Sequence, residues 1–209
     1  PLPGADADLR RWLAEVPPLT RADLQERGEA LRDPDPGEPT TMSASGGSSG
    51  KPVRFQWGAG MNAASFALEE HFYTWMGATP GCARARVWGH PRDSHGERRT
   101  LKRRVKEALF NDAIIDAFHL DEAKVARIVA QLHRLQPKLV IGYAGALHDL
   151  CHIAAASGLT LPQVDAVCAS AEPLLPAWRA RISASFGAPV YDRYGTREVG
   201  AVACEPRPG

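Results

Sequence analysis

The most informative apolar run in the chain is Lys138-Leu139-Val140-Ile141-Gly142. It is a short apolar run, typical of a strand that is buried on both faces of a sheet. A helix is predicted to follow over residues 144–157, with Gly158 as its C-cap. Ala166-Val167-Cys168-Ala169 then repeats the pattern of a short buried strand. Short connections between alternating strands and helices imply right-handed crossovers and therefore predict a parallel sheet.

The flanking residues continue this alternation. Val125, Ile128 and Leu132 recur at helical spacing, which predicts an amphipathic helix over 121–135 that Pro137 ends. We therefore expect an α/β protein with a parallel-sheet layered core and flanking helices. The aromatic side chains of the helix predicted over 61–76 are expected to lie in the core; they are Phe66, Phe72, Tyr73 and Trp75. The other predicted elements are helices over 5–14, 21–31 (with Thr20 as N-cap) and 176–186, and strands over 53–57, 86–89 and 189–191.

Composition narrows the class of protein. The chain has 209 residues, of which 44% are hydrophobic and 23% charged, and its formal net charge is +1. This balance gives no indication of a nucleic-acid partner, and no apolar run approaches membrane-spanning length. The four cysteines, Cys82, Cys151, Cys168 and Cys204, are widely spaced, which predicts reduced thiols in a cytoplasmic protein.

Three polar or aromatic segments follow the predicted strands. They are residues 142–145, 170–173 and 194–198. In parallel sheets, ligands bind beyond the carboxyl ends of the strands. The topology therefore predicts that these segments form a site.

A glycine- and serine-rich segment precedes the strand predicted over 53–57. Its composition fits either a flexible linker or a loop whose backbone amides surround phosphate oxygens. It does not match the Walker loop, because three residues rather than four separate Gly46 from Gly50 and Pro52 stands where a hydroxyl is required. The segment reads Ser45-Gly46-Gly47-Ser48-Ser49-Gly50-Lys51-Pro52.

This segment and Tyr194-Gly195-Thr196-Arg197-Glu198 together resemble two motifs of the adenylate-forming (AMP-forming) ligase superfamily. The superfamily's phosphate loop reads like Ser-Gly-Thr-Thr-Gly-Lys-Pro. The second motif is nearer to the Tyr-Gly-Ser-Arg-Glu of the phenylacetate–coenzyme A ligase family and its capsular-polysaccharide-biosynthesis (CapK-type) relatives. Residues 18–24, 136–143 and 171–174 agree with the same subgroup, so the resemblance spans nearly the whole chain.

The resemblance implies ATP-dependent activation of a small carboxylic acid as an acyl-adenylate, with release of pyrophosphate. Transfer to coenzyme A or to a carrier-protein thiol would follow, with ATP or AMP and Mg²⁺ as cofactors. The implied catalytic residues are Lys51, Arg197 and Glu198, and Glu198 would also bind Mg²⁺. The implied substrate-binding residues are Tyr143 and Gly145, with the aromatic helix over 66–75 bordering the same acyl pocket. The implied nucleotide-binding residues are Ser45, Gly46, Gly47, Ser48, Ser49, Gly50, Lys51, Ser170, Ala171, Glu172, Tyr194, Gly195 and Thr196.

The chain departs from the family in two ways. Arg197 stands where many superfamily members have threonine, and it could contact phosphate or carboxylate or pair with Glu198. No match is found to the family's hinge and mobile C-terminal domain, which carries the catalytic lysine. We therefore expect an N-terminal helical and loop segment over 1–39, a nucleotide-binding core over 40–209, no lid domain, and little activity of the chain alone.

Three alternatives stay open. The chain could be a non-catalytic nucleotide-binding or scaffold module, or a phosphotransferase, which would release ADP rather than AMP. His148 and His152 lie one helical turn apart, as in metalloproteases, but Asp149 replaces the required glutamate and no third ligand is evident. A homodimer is compatible with the resemblance.

Overall fold

The computed structural model describes residues 9–44, 52–88, 105 and 109–207. The chain divides into two compact units, residues 1–62 and 63–209. The boundary predicted between residues 39 and 40 lies within the first unit and stays a prediction. The predicted phosphate loop over 45–51 lies outside the described residues.

The first unit contains two short helices and a two-stranded antiparallel sheet. Helix α1 is Leu9–Glu15 and α2 is Arg21–Arg27, and strand β1 (Thr40–Ala44) pairs with β2 (Arg54–Gly58). Thr20 caps α2 as predicted, because its hydroxyl accepts a hydrogen bond from the Asp23 amide while the Asp23 carboxylate accepts one from the Thr20 amide. The helix predicted over 21–31 is shorter than expected and ends at Arg27.

The second unit is built around a six-stranded sheet, with strand order β4-β3-β5-β6-β7-β8. All neighbouring strands are parallel except β7 and β8, which are antiparallel. The parallel α/β core is therefore confirmed, with one antiparallel strand at its edge. The elements, after helix α3 (Ala59–Trp75), are β3 (Arg84–Trp88), β4 (Asp112–Asp116), α4 (Glu122–Leu135), β5 (Leu139–Tyr143), α5 (Ala144–Ala156), β6 (Ala166–Ser170), α6 (Pro176–Phe186), β7 (Val190–Thr196) and β8 (Gly200–Cys204).

The central strands β5 and β6 bury both of their faces, as their apolar runs predicted. Val140, Val167 and Val190 share a core with residues of α4, α5 and α6, among them Leu147 and Phe186. The alternate strand residues face a second core, because side chains alternate across a strand. That core contains Tyr73, Met76, Ala78, Leu139, Ile141, Ala166, Cys168 and Tyr191.

Helix boundaries follow local chemistry closely. The Asp121 carboxylate accepts a hydrogen bond from the Lys124 amide and caps α4, and Gln136 ends that helix in a left-handed conformation. Pro176 begins α6 and Gly187 ends it, as the sequence predicted. Of the aromatic residues on α3, Phe72 and Tyr73 are buried as expected, but Phe66 and Trp75 are exposed.

All four cysteines are free thiols. Burial raises the pKa of Cys168 to about 12, so this thiol stays protonated at neutral pH. Within the described residues, none of the helices combines the length and hydropathy that a bilayer-crossing segment requires.

Candidate functional site

The three segments predicted to form a site end three adjacent parallel strands. Tyr143, the last residue of β5, is the register partner of Ser170, the last residue of β6. Ser170 is in turn the register partner of Arg193 on β7, one residue before Tyr194. The carboxyl edge of the sheet therefore brings the three predicted segments side by side.

A cavity of about 460 Å³ opens at this edge. The predicted substrate residues Tyr143 and Gly145 line it, together with Glu172 from the end of β6. The Tyr143 ring packs against Trp88 with 4.6 Å between ring centroids. No residue of the aromatic helix is among the described lining residues; the rest are Ala117, His119, Leu120, Ala146, Asp149 and Ile153.

Glu172 is tied to the start of helix α5. One carboxylate oxygen accepts a hydrogen bond from the Gly145 amide at 2.8 Å. Tyr143, the N-cap residue of α5, makes no side-chain capping bond, so the cap comes from the loop after β6. A Cβ at position 145 would lie only 2.7 Å from the Glu172 oxygen, so a larger residue there would displace the Glu172 carboxylate. The nucleotide residue and the substrate residue predicted at these positions are thus in direct contact.

Ala171 is held in an unfavourable backbone conformation between these contacts. Its φ is +70°, in the left-handed region that residues with a Cβ adopt at a cost of about 1–2 kcal/mol. His119, which lines the cavity, has a φ of +49°. Backbone strain of this kind occurs at ligand-binding sites, where the surrounding structure holds the conformation in place.

The segment 194–198 does not simply follow a strand, as the sequence suggested. Tyr194, Gly195 and Thr196 belong to β7 itself, and residues 197–199 form the tight turn to β8. The pairing of β7 with β8 shifts register between Tyr194 and Gly195. A Cβ at position 195 would lie 2.7 Å from the carbonyl oxygen of Gly200, so the two strands approach too closely for any other residue.

The predicted ligand groups of this segment differ in exposure. Tyr194 is 63% exposed, and Arg197 and Glu198 are also exposed in the turn. The Thr196 hydroxyl accepts a hydrogen bond from the Val199 amide at 3.2 Å and so stabilises the turn. A phenol ring and a carboxylate are therefore available to a ligand from this one hairpin.

Ser170 is buried, and its hydroxyl faces the sheet rather than the solvent. It donates a hydrogen bond to the carbonyl oxygen of Arg193 at 2.9 Å. The Arg193 side chain is 7% exposed and donates a hydrogen bond to Glu69 of α3. These contacts connect the ends of β6 and β7 to the helix that covers the sheet.

The histidine pair on α5 has local partners. The rings of His148 and His152 stack with 6.1 Å between centroids, and His148 also stacks on Trp178. Arg181 Nη1 lies 3.1 Å from Nδ1 of His152. Across the part of the chain that the structure describes, no group of three or more His, Cys, Asp or Glu side chains could hold a metal ion.

Sequence reasoning missed several residues around the site. His119 and Asp149 line the cavity but carry no recognisable motif. Glu69 and Arg193 did carry a signal, because each is a charged residue among apolar neighbours in a helix or strand, although Glu70 and Asp192 adjoin them. Charges at such positions are buried with a partner more often than alone, so they could have been predicted to pair.

The chain is similar to several known proteins in sequence and in structure. The chain is 23% identical to the protein CapK of Staphylococcus aureus over 196 residues, which is 93% of this chain and 43% of CapK. An open conformation of 2-hydroxyisobutyryl-CoA ligase, in complex with 2-HIB-AMP and CoA, superposes with a TM-score of 0.60 at 20% identity. That match covers 88% of this chain and 40% of the ligase.

The chain shares the fold of a part of the acyl-coenzyme A ligases. Malonyl-CoA ligase, bound to methylmalonyl-CoA and AMP, agrees with a TM-score of 0.52 at 18% identity over 80% of this chain and 36% of that protein. No family model matches the sequence. The resemblance to CapK and to adenylate-forming ligases is confirmed, and the chain spans about two-fifths of the length of these relatives.

Proposed function

We propose that the chain binds ATP and a small carboxylic acid and contributes to formation of an acyl-adenylate, with release of pyrophosphate. Transfer of the acyl group to coenzyme A or to a carrier-protein thiol would follow. The observation that carries this proposal is the carboxyl edge of the sheet, where Tyr143 at the end of β5 and Glu172 just after β6 line a cavity and Tyr194 lies near the end of the next strand, β7. The relatives support it, since their names describe ligases bound to acyl-AMP, AMP or coenzyme A.

The exposed hairpin fits the nucleotide. The Tyr194 ring is open to solvent and is followed by Gly195, so a purine can stack on it without meeting a neighbouring side chain. Ser170, Ala171 and Glu172 would line the adenine through their backbone. Glu198 presents a carboxylate, the ligand type that Mg²⁺ prefers, and the bound ion would neutralise phosphate charge.

The reaction forms one bond and breaks one bond. A carboxylate oxygen of the acid attacks the α-phosphorus of ATP, and the bond to the β-phosphate oxygen breaks, so that pyrophosphate leaves with the electron pair. Negative charge increases on the phosphate oxygens in the transition state. The cations of Lys51 and Arg197 and the amides of loop 45–51 would stabilise that charge.

The acid would occupy the cavity beside Tyr143 and Gly145. Its volume of about 460 Å³ lies within the range of small-molecule sites. We propose that residues 40–209 supply acid and nucleotide binding, and that a mobile lid domain of the kind the family carries is needed for rapid turnover. The free thiols are compatible with a reducing compartment, and we propose that the reaction takes place in the cytoplasm.

Calorimetric titration of the 209-residue chain with AMP and ATP, with and without Mg²⁺, tests the binding step. We expect both nucleotides to bind, Tyr194→Ala to weaken both, and Glu198→Gln to remove the Mg²⁺ dependence of ATP binding. Absence of nucleotide binding at millimolar concentration would contradict the proposal.

Carboxylate-dependent exchange between ATP and pyrophosphate tests the chemistry, measured on this chain extended by a lid domain of the kind the family carries, with a panel of aryl and aliphatic acids. Exchange that survives Lys51→Ala and Glu198→Gln together would exclude the assigned roles. Nucleotide binding without exchange for any acid would favour the non-catalytic module, which the partial coverage of the relatives also allows.

A further inference from the structure

We propose that Arg193 and Glu69 are positioning residues that fix Tyr194 in the orientation required for nucleotide binding. This inference rests on the proposed function. Neither residue touches the cavity, and neither lies in a motif that the sequence pointed to. Their role would be exerted through the backbone of β7, which leads directly into Tyr194.

Tyr194 lies where the pairing of β7 becomes irregular, although it still pairs with Ala203 of β8. The parallel pairing of β7 with β6 ends at the pair Ser170 and Arg193. On its other side, the antiparallel pairing with β8 shifts register between Tyr194 and Gly195. Such irregularities locally bend a strand and change the direction of its side chains. Arg193 is the last residue of β7 that pairs with both β6 and β8, so its attachment contributes to the orientation of Tyr194.

Arg193 is attached at both its backbone and its side chain. Its carbonyl oxygen accepts the hydrogen bond from the Ser170 hydroxyl at 2.9 Å. Its guanidinium group donates to Glu69, a residue of α3 that Arg86 of β3 also approaches at 3.8 Å. Because successive side chains of a strand point to opposite faces, holding the Arg193 side chain against α3 directs the Tyr194 side chain away from that helix.

Stability alone does not explain this ion pair. A buried ion pair is often no more stabilising than well-packed apolar residues of the same volume, because both charges lose their hydration. The pair does supply direction, since a guanidinium group donates along fixed lines to a carboxylate. An apolar pair at the same positions would keep the fold but allow β7 to rotate.

The chain contains a matched control on the same helix. Glu70, the next residue of α3, accepts hydrogen bonds from Nη1 and Nη2 of Arg84 at 2.6 and 2.7 Å. Arg84 is 4% exposed and lies at the start of β3, at the opposite end of the strands from the site. The two pairs share their chemistry and burial, but only Arg193 adjoins Tyr194.

The test compares two double variants of the 209-residue chain, Glu69→Gln/Arg193→Met and Glu70→Gln/Arg84→Met. Each removes both charges, so no isolated charge is left buried. We expect the first to weaken AMP binding about tenfold or more, since small misplacements of site groups are costly, and the second to leave it unchanged. With Glu69 present, Arg193→Lys keeps the positive charge, so its affinity for AMP should lie between that of the wild type and that of Glu69→Gln/Arg193→Met.

Hydrogen exchange of the Tyr194 and Gly195 amides gives a readout that needs no nucleotide. We expect faster exchange in the Glu69/Arg193 variant and no change in the Glu70/Arg84 variant. Equal effects of the two variants on binding and exchange would overturn the positioning role, as would unchanged values in both. Failure of the wild-type chain to bind AMP would instead contradict the proposed function, and hydrogen exchange would still decide the positioning role.

Discussion

The two faces of the central sheet are built from opposite kinds of residue. The face toward α4, α5 and α6 is apolar, with Val87, Val140 and Val167 packed against residues such as Phe186. The face toward α3 combines an apolar core with buried charges, and Arg84, Arg86 and Arg193 point into it. Apolar packing has no direction and contributes most of the stability, whereas paired charges tolerate only one arrangement.

Charged side chains on the face toward α3 also connect several strands. Arg86 Nε donates to Asp112 at 2.7 Å, which joins β3 to β4, while Glu69 contacts arginines of both β3 and β7. Burial raises the pKa of Tyr73 well above its usual range, so its phenol stays neutral among these charges. We infer that the apolar face contributes most of the stability of the sheet, whereas the charged face toward α3 orients the ends of its strands.

The largest effect is expected from a cavity on the apolar face. Phe186→Ala removes a fully buried ring and should lower the free energy of unfolding by about 3–5 kcal/mol. Urea denaturation followed by circular dichroism measures this change. Val202→Ala on the exposed edge strand is the control and should change the value by less than about 0.5 kcal/mol. Similar losses of unfolding free energy for Phe186→Ala and Val202→Ala would contradict a dominant contribution of the apolar face to stability.

The charged face should respond differently to single and double changes. Glu70→Ala leaves Arg84 buried without its partner and should lower the free energy of unfolding by about 3 kcal/mol. Adding Arg84→Met should recover most of that loss, because no isolated charge remains. A double-mutant cycle measures the coupling, and strictly additive losses would show that the two charges do not interact.

Relief of the backbone strain at Ala171 should have a smaller effect, and it should raise rather than lower the free energy of unfolding. Ala171→Gly relieves the left-handed conformation but increases the entropy of the unfolded chain, so we expect a gain of about 0.5 kcal/mol. Ala169→Gly, in the buried interior of β6, which ends just before Ala171, should instead destabilise by about 0.5–1 kcal/mol. Thermal denaturation of both variants checks the contrast, and a loss in both would exclude stored strain at Ala171.

The smallest effect concerns the attachment of β7 to the edge strand. Burial acts to raise the pKa of Glu205, but hydrogen bonds from Arg179 and from the Asp192 amide outweigh it, so this pKa lies below its usual value of 4.5. The stabilising contribution of Glu205 is therefore fully present above about pH 4.5 and is lost as the pH falls through its folded-state pKa.

We expect Glu205→Gln to lower stability at pH 7 and to reduce the further loss on acidification. Urea midpoints between pH 3 and pH 7 measure this slope. Lys138→Gln, which removes a long and exposed ion pair with Asp165, is the control and should leave the slope unchanged. An identical pH dependence in the wild type and in the Glu205 variant would contradict the assignment.

The sequence was most informative where local chemistry decides structure. Asp121, Pro176 and Gly187 set the limits of α4 and α6, because capping and proline geometry depend on a few adjacent residues. It was less informative where partners are distant. Strands β1, β4 and β8 escaped prediction, since a strand of five residues with few large apolar side chains is stabilised by its neighbours rather than by its own pattern.

For this protein, the order of apolar runs and caps determined the parallel α/β core, and its motifs indicated the adenylate-forming ligases. Only the tertiary structure showed that Gly145 contacts Glu172, that Ala171 is strained, and that Arg193 is buried against Glu69. Those features join residues far apart in the chain, and their geometry depends on strand order and register. Periodicity specifies which side chains share a face, but pairing across the sheet specifies which of them meet.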